Sequence, residues 1–496
     1  MSREPKTTPQ QTPDAADTSP APKPLAKYAI VSAKGILSLL AVGAVGAAAV
    51  VTSQIREVPD IQAPYQPQVQ LSAVTYPYVC MPLLASDEGV APGTVQLRLD
   101  SGAQLVSIDE LGDSASKAIT PKLVEDATTG GQSQSFNAQK LPLSFTLQTD
   151  GQAQVQGSSA VTSNTETVTG TSVQPCQLTS TQAWFVAGST AVEHSTFLVV
   201  ANPAPTAIDV SIQAWGAAGP LENTAHLTVP GGAYRAVNLA TYFPEEERLA
   251  VHASSSGGTA AFSLHVNSTH GLSAKGFARL NAVTAPARTQ VIASVDDQAQ
   301  EATLRLANPG SEPAQVSVKV ATDAGAVALP GAESMTVDEG GVFEVSLADV
   351  ASKSGGLIIE STRPILASAS GYYPAATDEQ KDRTTLAAWS ATEPSAKASA
   401  VIPTLAEGKI ASQKVVLINP AKRAVTVTVA GTDYTVEAGA SKRVEVTGNV
   451  IEMTASQPVV ANLELTVERN GHKEYLSTGF QPAEASVPIT TLEIAR

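Results

Sequence analysis

The chain has 496 residues, which is room for three or four domains of ordinary size. Charged residues make up 16% of it and aromatic residues 4%, while Ala, Val, Thr, Ser and Gly dominate, a composition typical of Val- and Thr-rich β-sheets and unlike that of a helical enzyme. The net charge of −15 repels phosphate backbones, and the sequence has no basic, aromatic-studded segment, so nucleic-acid binding is not expected.

An apolar stretch near the N-terminus predicts a transmembrane helix. Residues 35–51 carry no charge, and the stretch reaches about 20 residues, enough to cross a bilayer, if Lys34 snorkels to the interface. Because Lys23 and Lys27 precede it, the positive-inside rule places the N-terminus in the cytoplasm and the C-terminal part outside the cell. We therefore expect a disordered cytoplasmic tail (1–28), a transmembrane signal anchor (29–55) and a Pro-rich stalk (56–70).

Two other interpretations of this stretch compete with the anchor. Ala47, Ala48 and Ala49 supply the small residues of a signal-peptidase site, so a cleaved signal peptide is the stronger rival. A buried core helix is disfavoured because the stretch stands alone behind a Pro-rich tail. The long tail before the apolar stretch favours an uncleaved anchor, and either export route places the rest of the chain outside the cytoplasm.

The two cysteines, Cys80 and Cys176, both follow the predicted anchor. Such a pair outside the cytoplasm predicts a disulfide, which would stabilise the fold by roughly 4 to 5 kcal/mol in the chain-entropy model. Two free buried thiols are the alternative, and a catalytic cysteine is disfavoured because no suitably placed histidine is recognisable. We expect residues 71–181 to form an irregular β-domain closed by this disulfide.

An Asn-Pro pair occurs three times in the remaining sequence, at intervals of roughly one domain length. Each pair ends an apolar stretch (VVANP, RLANP, VLINP) and precedes an alternating one, as expected where a turn stops a strand. The pairs are Asn202-Pro203, Asn308-Pro309 and Asn419-Pro420.

Further landmarks accompany each Asn-Pro pair and define three β-repeats. They are a leading strand (WFVAG, VIASV, VIPTL), a Gly-marked turn near Gly232, Gly340 or Gly439, and an apolar stretch with a predicted Ser-containing turn (SSSGG, ESTRP, TASQP). Short alternating strands in units of about 100 residues predict antiparallel β-sandwiches of immunoglobulin or fibronectin type. The predicted repeats are residues 182–282, 283–394 and 395–496. The predicted core residues are Leu198, Val200, Val210, Leu304, Leu306, Val316, Val318, Val415, Leu417, Val425 and Val427.

The sequence offers little catalytic chemistry, and no cofactor or metal site is predicted. Ser114 and Lys117 have the Ser-x-x-Lys spacing of some acyl-serine enzymes, but they lack companion motifs and suit an exposed acidic loop better. His252, His265 and His270 are close in sequence without a metal-binding motif, so solvent-facing histidines are the simpler interpretation.

Aromatic residues near predicted turns could bind a sugar or peptide by stacking. Trp215 and Trp389 are the candidates for this role, with packing in an aromatic-poor core as the alternative.

The segments YPYVCMP, PCQ and AWFVAGST, followed by a strand ending in ANP, resemble those of actinobacterial membrane-anchored secreted proteins of the DUF5719 family. The resemblance covers roughly residues 70–490 and is most specific between Cys176 and Pro203. It implies an actinobacterial source and an envelope location, and it carries over no activity or catalytic residues.

These patterns predict a single-pass, non-enzymatic cell-envelope protein whose extracellular β-domains form a string that acts as a spacer or interaction module. The alternative is an accessory carbohydrate-binding protein that assists surface-glycan assembly or remodelling. The predicted partners are the membrane, through the N-terminal helix, and an envelope protein or glycan.

Overall fold

The computed structural model of the chain describes residues 74–82, 93–100, 103–118, 122–124, 132–138, 142–149, 155–165, 168–295, 299–348, 350, 354–373 and 385–482. The predicted tail (1–28), anchor (29–55) and stalk (56–70) lie outside these residues. Among the described residues, no helix is both long and apolar enough to cross a membrane. The described chain is mainly β-strand, and its only helical element is a short 3-10 helix at Leu239–Thr241.

The described strands form four β-modules, numbered 1 to 4 in chain order. In module 1 they are β1 (Val74–Cys80), β2 (Gly93–Leu99), β3 (Ala103–Leu111), β4 (Ser116–Ala118), β5 (Lys122–Val124), β6 (Gln132–Ala138), β7 (Leu143–Thr149), β8 (Val155–Asn164), β9 (Thr169–Pro175) and β10 (Gln177–Leu178). In module 2 they are β11 (Gln182–Phe185), β12 (His194–Asn202), β13 (Ile208–Gly216), β14 (Gly219–Pro220), β15 (Ala225–Val229), β16 (Ala233–Asn238), β17 (Ala250–Ser256), β18 (Ala261–His270) and β19 (Ser273–Leu280).

Modules 3 and 4 each contain one unusually long strand. The strands of module 3 are β20 (Ala287–Ala293), β21 (Gln300–Ala307), β22 (Ala314–Thr322), β23 (Gly325–Ala328), β24 (Met335–Val337), β25 (Val342–Ser346), β26 (Gly356–Tyr373) and β27 (Thr385–Ser390). Those of module 4 are β28 (Ser395–Val401), β29 (Lys409–Ile418), β30 (Val425–Val429), β31 (Thr432–Val436), β32 (Ser441–Glu445), β33 (Val450–Arg469), β34 (His472–Gly479) and β35 (Gln481–Pro482).

All four modules have the same strand order. One sheet runs first, sixth, third and fourth strand, as in β11-β17-β13-β15. The other runs fifth, second, sixth and seventh strand, as in β16-β12-β18-β19. The sixth strand therefore contributes to both sheets, either as two strands in modules 1 and 2 or as the long β26 and β33. In immunoglobulin domains the first strand adjoins the second instead, so this order differs from the predicted immunoglobulin type.

Module 1 is a fourth copy of the repeat rather than a separate irregular domain. Its strands β1, β2, β3, β4, β6, β7–β8 and β9 occupy the seven positions in the same chain order. The sequence LDSG, which includes Asp100, follows its second strand where the other modules carry Asn-Pro. This substitution hides the fourth copy from a search based on Asn-Pro.

The predicted Ser-containing turn breaks the sixth strand only in module 2. In module 3, β26 continues through ESTRP and moves from one sheet to the other, pairing with β22 up to Ser361 and with β21 from Leu366. Pro364 lies between these two ladders, where its missing N–H removes no bond from either of them. In module 4, β33 crosses in the same way around Pro458.

Each Asn of the Asn-Pro pairs is buried and ties two turns of its module together. The Nδ2 group of Asn308 donates to the carbonyls of Glu312 (2.8 Å), Val337 (3.2 Å) and Asp338 (3.1 Å), and its Oδ1 accepts from the N–H of Gly310 (3.1 Å). Asn202 and Asn419 make the same four bonds at the equivalent positions. The Asn side chain thus joins its own turn to the Gly-marked turn before the fifth strand.

The glycine of that second turn has a positive φ in all three modules, namely 68° at Gly232, 66° at Gly340 and 68° at Gly439. Residues with a Cβ rarely adopt this conformation. The predicted Asn-Pro and Gly landmarks are therefore two halves of one hydrogen-bonded unit.

Each module has its own apolar core between its two sheets. The core residues predicted from the sequence are all buried, with at most 2% exposure. In module 1, Cys80 and Cys176 form the predicted disulfide inside the core, beside Tyr78, Leu97 and Phe145.

The modules pack head to tail through apolar contacts. In each contact, the first strand of one module and its neighbours lie against the second, fifth and sixth strands of the next module. The contacting residues are Val79, Met81 and Leu111 against Val199, Ala201 and Ala261; Val186, Ala250 and Val283 against Ala307, Val342 and Leu366; and Val291, Ala293, Ala321 and Ile358 against Val416, Ile418 and Val460.

Module 4 makes the corresponding contact with module 1, which closes the cycle. Ser399 of β28 bonds to Gln156 of β8, and the neighbouring Val401 carbonyl accepts from Ser158. Gln481 donates to the Tyr78 hydroxyl (2.5 Å). The four modules therefore form a closed cycle of neighbours, in contrast to the string expected from the sequence.

At least one arginine of the downstream module reaches across each interface. Arg235, Arg305 and Arg443 donate to backbone carbonyls of the preceding module, at Asp113, Gly188 and Ser354 respectively. At the closing interface, Arg98 of module 1 forms an ion pair with Glu452 of module 4 (2.5 Å). The four interfaces are thus variants of one geometry.

The seventh strands of the four modules also meet in a closed cycle, in the order β9, β19, β27 and β34. Gly276 of β19 allows β27 to come close, because a Cβ at this position would lie 2.8 Å from the backbone nitrogen of Leu386. Gln174 of β9 donates to Asn281, just after β19, at 2.5 Å.

Replacing Asn308 by Ala should lower the free energy of unfolding by about 2 to 4 kcal/mol, because three carbonyls of the two turns lose their donor while buried. Urea denaturation followed by tryptophan fluorescence measures this loss. Asn223 is the matched control, since it is exposed and makes one bond, to the Tyr242 carbonyl. We expect Asn223→Ala to cost less than about 0.5 kcal/mol, and an equal cost for both variants would contradict the role of Asn308.

The closed cycle predicts a small radius of gyration for the part of the chain from residue 71 onward. A compact body of this length has a radius of about 22 Å, whereas four modules of about 13 Å radius each, placed in line, exceed about 30 Å. Small-angle X-ray scattering of this fragment should give the smaller value. The larger one would show that the modules separate in solution.

Candidate ligand-binding site

A groove of about 280 Å³ lies between modules 3 and 4. Strands β26 and β27 of module 3 form one wall, and β29, β32, β33 and β34 of module 4 form the other. The groove exists because the downstream module presents the outer face of its second sheet to the module before it.

Aromatic side chains form one side of the groove. Tyr475 of β34 is 38% exposed, and its ring centroid lies 4.8 Å from that of the buried Tyr373. Tyr373 in turn contacts Trp389 edge to face, with centroids 6.3 Å apart. Because Tyr373 and Trp389 belong to the core of module 3, they support Tyr475 as a fixed, solvent-accessible ring.

Three charged side chains line the groove and give it a net charge of +1: Lys414, Arg443 and Glu464. Arg443 pairs with Glu464 (3.2 Å) and also donates to the Ser354 carbonyl. Among the described residues, Lys414 has neither a hydrogen-bond partner nor an ion-pair partner. Lys414 is therefore the cation available to a ligand, in a protein whose net charge is −15.

Ser294 lies at the module 3 end of the groove and is conformationally unusual. Its φ is 71°, and its hydroxyl is buried without a hydrogen-bond partner in the described part of the chain. An unpaired buried hydroxyl and a left-handed backbone at a non-glycine residue each destabilise the fold, and such features concentrate at functional sites. Hydroxyls of Ser412, Thr466 and Ser477 line the same space.

The two tryptophans predicted from the sequence lie in different places. Trp389 is only 2% exposed and forms the floor of the groove, so solvent cannot reach its face. Trp215 is half-buried next to Trp184 (5.3 Å between centroids), and Trp184 also stacks on His252 (4.0 Å). Tyr475, which offers an exposed ring, is not marked by any sequence pattern, because its position depends on the contact between modules.

A second cavity, of about 550 Å³, lies on the outer sheet of module 2. Asp209, His226, Thr228 and Ser254 are among its lining residues, and Asp209 already accepts a hydrogen bond from Thr228 (2.6 Å). Its lining includes no Phe, Tyr or Trp side chain and no unpaired buried group. We therefore regard the groove as the candidate site.

The Ser-x-x-Lys pair lies in the exposed hairpin between β3 and β4, with both Ser114 and Lys117 open to solvent. This placement agrees with the exposed-loop interpretation. The three Asn-Pro turns and the disulfide, described above, have structural roles in their modules.

Comparison with known proteins adds one firm finding. A model of a family of unknown function, DUF5719, matches residues 128–452, more than half of the chain. The chain belongs to the DUF5719 family. No curated protein matches this DUF5719 member.

Solved structures give only weak similarity. The crystal structure of Streptomyces avermitilis alpha-L-rhamnosidase complexed with L-rhamnose is 9% identical, with a TM-score of 0.12. The alignment covers 80% of the DUF5719 chain and 56% of the rhamnosidase chain, so the DUF5719 chain spans little more than half of that protein's length. A TM-score this low carries no argument about fold or function.

Three histidines of the DUF5719 protein are close in sequence, but the structure does not bring their side chains together. His252 stacks on Trp184, His270 is exposed at a turn, and His265 is buried at the interface of modules 1 and 2. Within the described residues, no group of three or more His, Cys, Asp or Glu side chains could hold a metal ion.

His265 lies directly across from Arg279 in the β18–β19 ladder. Arg279 donates to the carbonyls of Met81 (2.9 Å), Ser159 (3.2 Å) and Ser172 (3.1 Å), and burial lowers its pKa to about 9, so it stays charged at neutral pH. Burial and then the charge of Arg279 lower the pKa of His265 to about 3. Neither ring nitrogen of His265 has a hydrogen-bond partner among the described residues.

The lowered pKa of His265 predicts acid sensitivity. The unfolded chain takes up a proton at this position near pH 6.5, whereas the folded chain does so only near pH 3. The stability contribution is therefore present above about pH 6.5 and falls with pH below it, by up to about 1.4 kcal/mol per pH unit. The variant His265→Gln should lose less stability between pH 7 and pH 5 than the wild type, as measured by urea denaturation. His226→Gln, at an exposed position, is the control, and a pH dependence unchanged by His265→Gln would refute the assignment.

Proposed function

We propose that this DUF5719 protein is a non-enzymatic, single-pass membrane protein of the actinobacterial cell envelope, whose extracellular part acts as a structural or interaction module. The observation that carries the proposal is the closed cycle of four β-modules, in which each module is held by two neighbours. Such packing fixes the loops and grooves of separate modules relative to one another. A rigid body of this kind suits binding, because a partner meets a preorganised surface.

The proposed location rests on the N-terminal sequence and on the disulfide. The apolar stretch at 35–51, with Lys23 and Lys27 before it, has the length and charge bias of a signal anchor with a cytoplasmic N-terminus. The buried bond between Cys80 and Cys176 suits an oxidising compartment outside the cytoplasm.

A second candidate function is carbohydrate binding in support of surface-glycan assembly or remodelling. The groove between modules 3 and 4 favours it, because an exposed tyrosine, several hydroxyls and three charged groups meet there. Aromatic faces pack on the apolar faces of sugar rings, and polar groups bond the ring hydroxyls. Tyr475, in contact with Tyr373, would take the stacking role expected of a tryptophan.

Cysteine labelling on intact cells tests the proposed topology. Cys80 and Cys176 are joined in the disulfide, so a single introduced cysteine supplies the reactive thiol. A membrane-impermeant maleimide should label Ser456→Cys, at an exposed position of module 4, on intact cells. It should label Thr8→Cys only after the membrane is permeabilised.

Two results would contradict the proposed topology. The reverse labelling pattern would mean that the chain is inserted in the opposite orientation. Release of the Ser456→Cys protein into the medium without membrane disruption would mean that the apolar stretch does not anchor the protein.

A further inference from the structure

We propose that the groove between modules 3 and 4 binds one sugar unit that carries a negative charge, either a carboxylate or a phosphate. The inference rests on the carbohydrate-binding candidate function and specifies its site and ligand class. Tyr475 would pack on the sugar ring, Lys414 would pair with the anion, and the exposed hydroxyl of Ser412 would bond a ring hydroxyl.

The size of the groove limits the ligand to a small one. Ordinary small-molecule pockets measure about 300 to 1,000 Å³, and the 280 Å³ of this groove lies just below that range. A single ring fits this volume better than a segment of a polymer chain. A polymer would therefore bind through one terminal or branching unit.

The aromatic side favours a ring with one apolar face. Tyr475 is exposed at the groove, while its contact with Tyr373 fixes its orientation. A flat ring of this kind buries the C–H face of a pyranose at little entropic cost, because Tyr373 and Trp389 already restrict its motion.

The charges favour an anion over a neutral sugar. Arg443, which lines the groove, is committed to Glu464 and to the Ser354 carbonyl. Glu445 and Glu464 lie across from Lys414 in the β29–β32 and β29–β33 ladders. Glu445 is exposed, Glu464 pairs with Arg443, and neither forms an ion pair with Lys414. The ammonium group of Lys414 is thus the positive charge in the groove that a ligand can neutralise.

Ser294 is enclosed at the module 3 end of the groove and is locally strained. A buried hydroxyl without a partner has lost its bonds to water, and the left-handed backbone adds strain at the same residue. Less than 1 Å² of the Ser294 Oγ is exposed, so a ligand in the groove would bond the accessible Ser412 hydroxyl instead. The polar side chains of Ser412, Thr466 and Ser477 extend the same hydrogen-bonding surface.

Ligand-observed NMR titration of the exported part of the chain, from residue 56 onward, tests the proposal with glucuronate, glucose 6-phosphate, glucose and inorganic phosphate as probes. At least one of the two anionic sugars should bind at least fivefold more tightly than glucose and than inorganic phosphate. Comparison of glucuronate with glucose 6-phosphate identifies which anion the site prefers.

Three variants locate the site, and a fourth is the control. Lys414→Met keeps the aliphatic stem and removes the charge, so it should abolish the preference for the anionic sugar. Tyr475→Ala should weaken binding of every sugar at least tenfold. Ser412→Ala removes an exposed hydroxyl of the groove, so it should weaken binding without loss of thermal stability. Lys473→Met, at an exposed β34 position outside the groove, should bind like the wild type.

The possible failures are distinguishable. Equal affinity for glucose and both anionic sugars would overturn the ligand class. Binding of sugars that survives both Tyr475→Ala and Lys414→Met would overturn the site and leave carbohydrate binding intact. Absence of binding to all three sugars and to isolated envelope polysaccharide would overturn the carbohydrate-binding function itself.

Discussion

The head-to-tail contact between the first strand of one module and the second and sixth strands of the next is the constraint on which the rest of the structure depends. A contact between unlike surfaces propagates into a filament or a string unless the rotation between successive units closes a ring. Here it closes after four modules, because Ser399 and Val401 of module 4 reach Gln156 and Ser158 of module 1. Closure leaves neither contact face uncovered at the ends, so no module needs a separate capping element of the kind that open repeat arrays require.

Inside each module, a buried asparagine holds the shape that this contact requires. The side-chain amide offers two N–H donors and one oxygen acceptor, and at Asn202, Asn308 and Asn419 all of them are used within two adjoining turns. Serine could not span both turns, and aspartate would set a carboxylate against three carbonyls. The second strand therefore ends, and the fifth begins, at a fixed separation. That separation positions the sheet face on which the preceding module packs.

The sequence predicts the parts of this fold that depend on local patterns. The Asn-Pro turns, the Gly-marked turns and the alternating core positions from Leu198 to Val427 depend on neighbouring residues, and the predicted core is buried. The fourth copy of the repeat could not be predicted from the sequence, because Asp100 and the residues after it replace Asn-Pro in module 1. The continuity of β26 and β33 could not be predicted either, because proline ordinarily ends a strand. Here Pro364 and Pro458 each lie at the point where the strand crosses between two sheets. The groove could not be predicted from the sequence, because Tyr475 and Ser294 belong to different modules and only the packing of module 3 on module 4 brings them together.

Repetition also shows where the chain departs from its own pattern. Three interfaces have apolar clusters of their own. At the closing one, Ala160 and Val173 of module 1 join the apolar core of module 4, and Thr94, Gln156, Ser158 and Ser399 add hydrogen bonds that require a defined geometry. Apolar surfaces tolerate small displacements, but hydrogen-bonded ones do not, so the polar interface selects the arrangement in which the cycle closes in register. The interface of modules 3 and 4 differs from the others in another way. Beside its apolar cluster lies a groove that contains an unpaired lysine and a strained serine. Neither feature is required for packing, because Val416, Ile418 and Val460 already hold these two modules together. A ligand that neutralises Lys414 accounts for the unpaired lysine, and the strained Ser294 lies at the same groove.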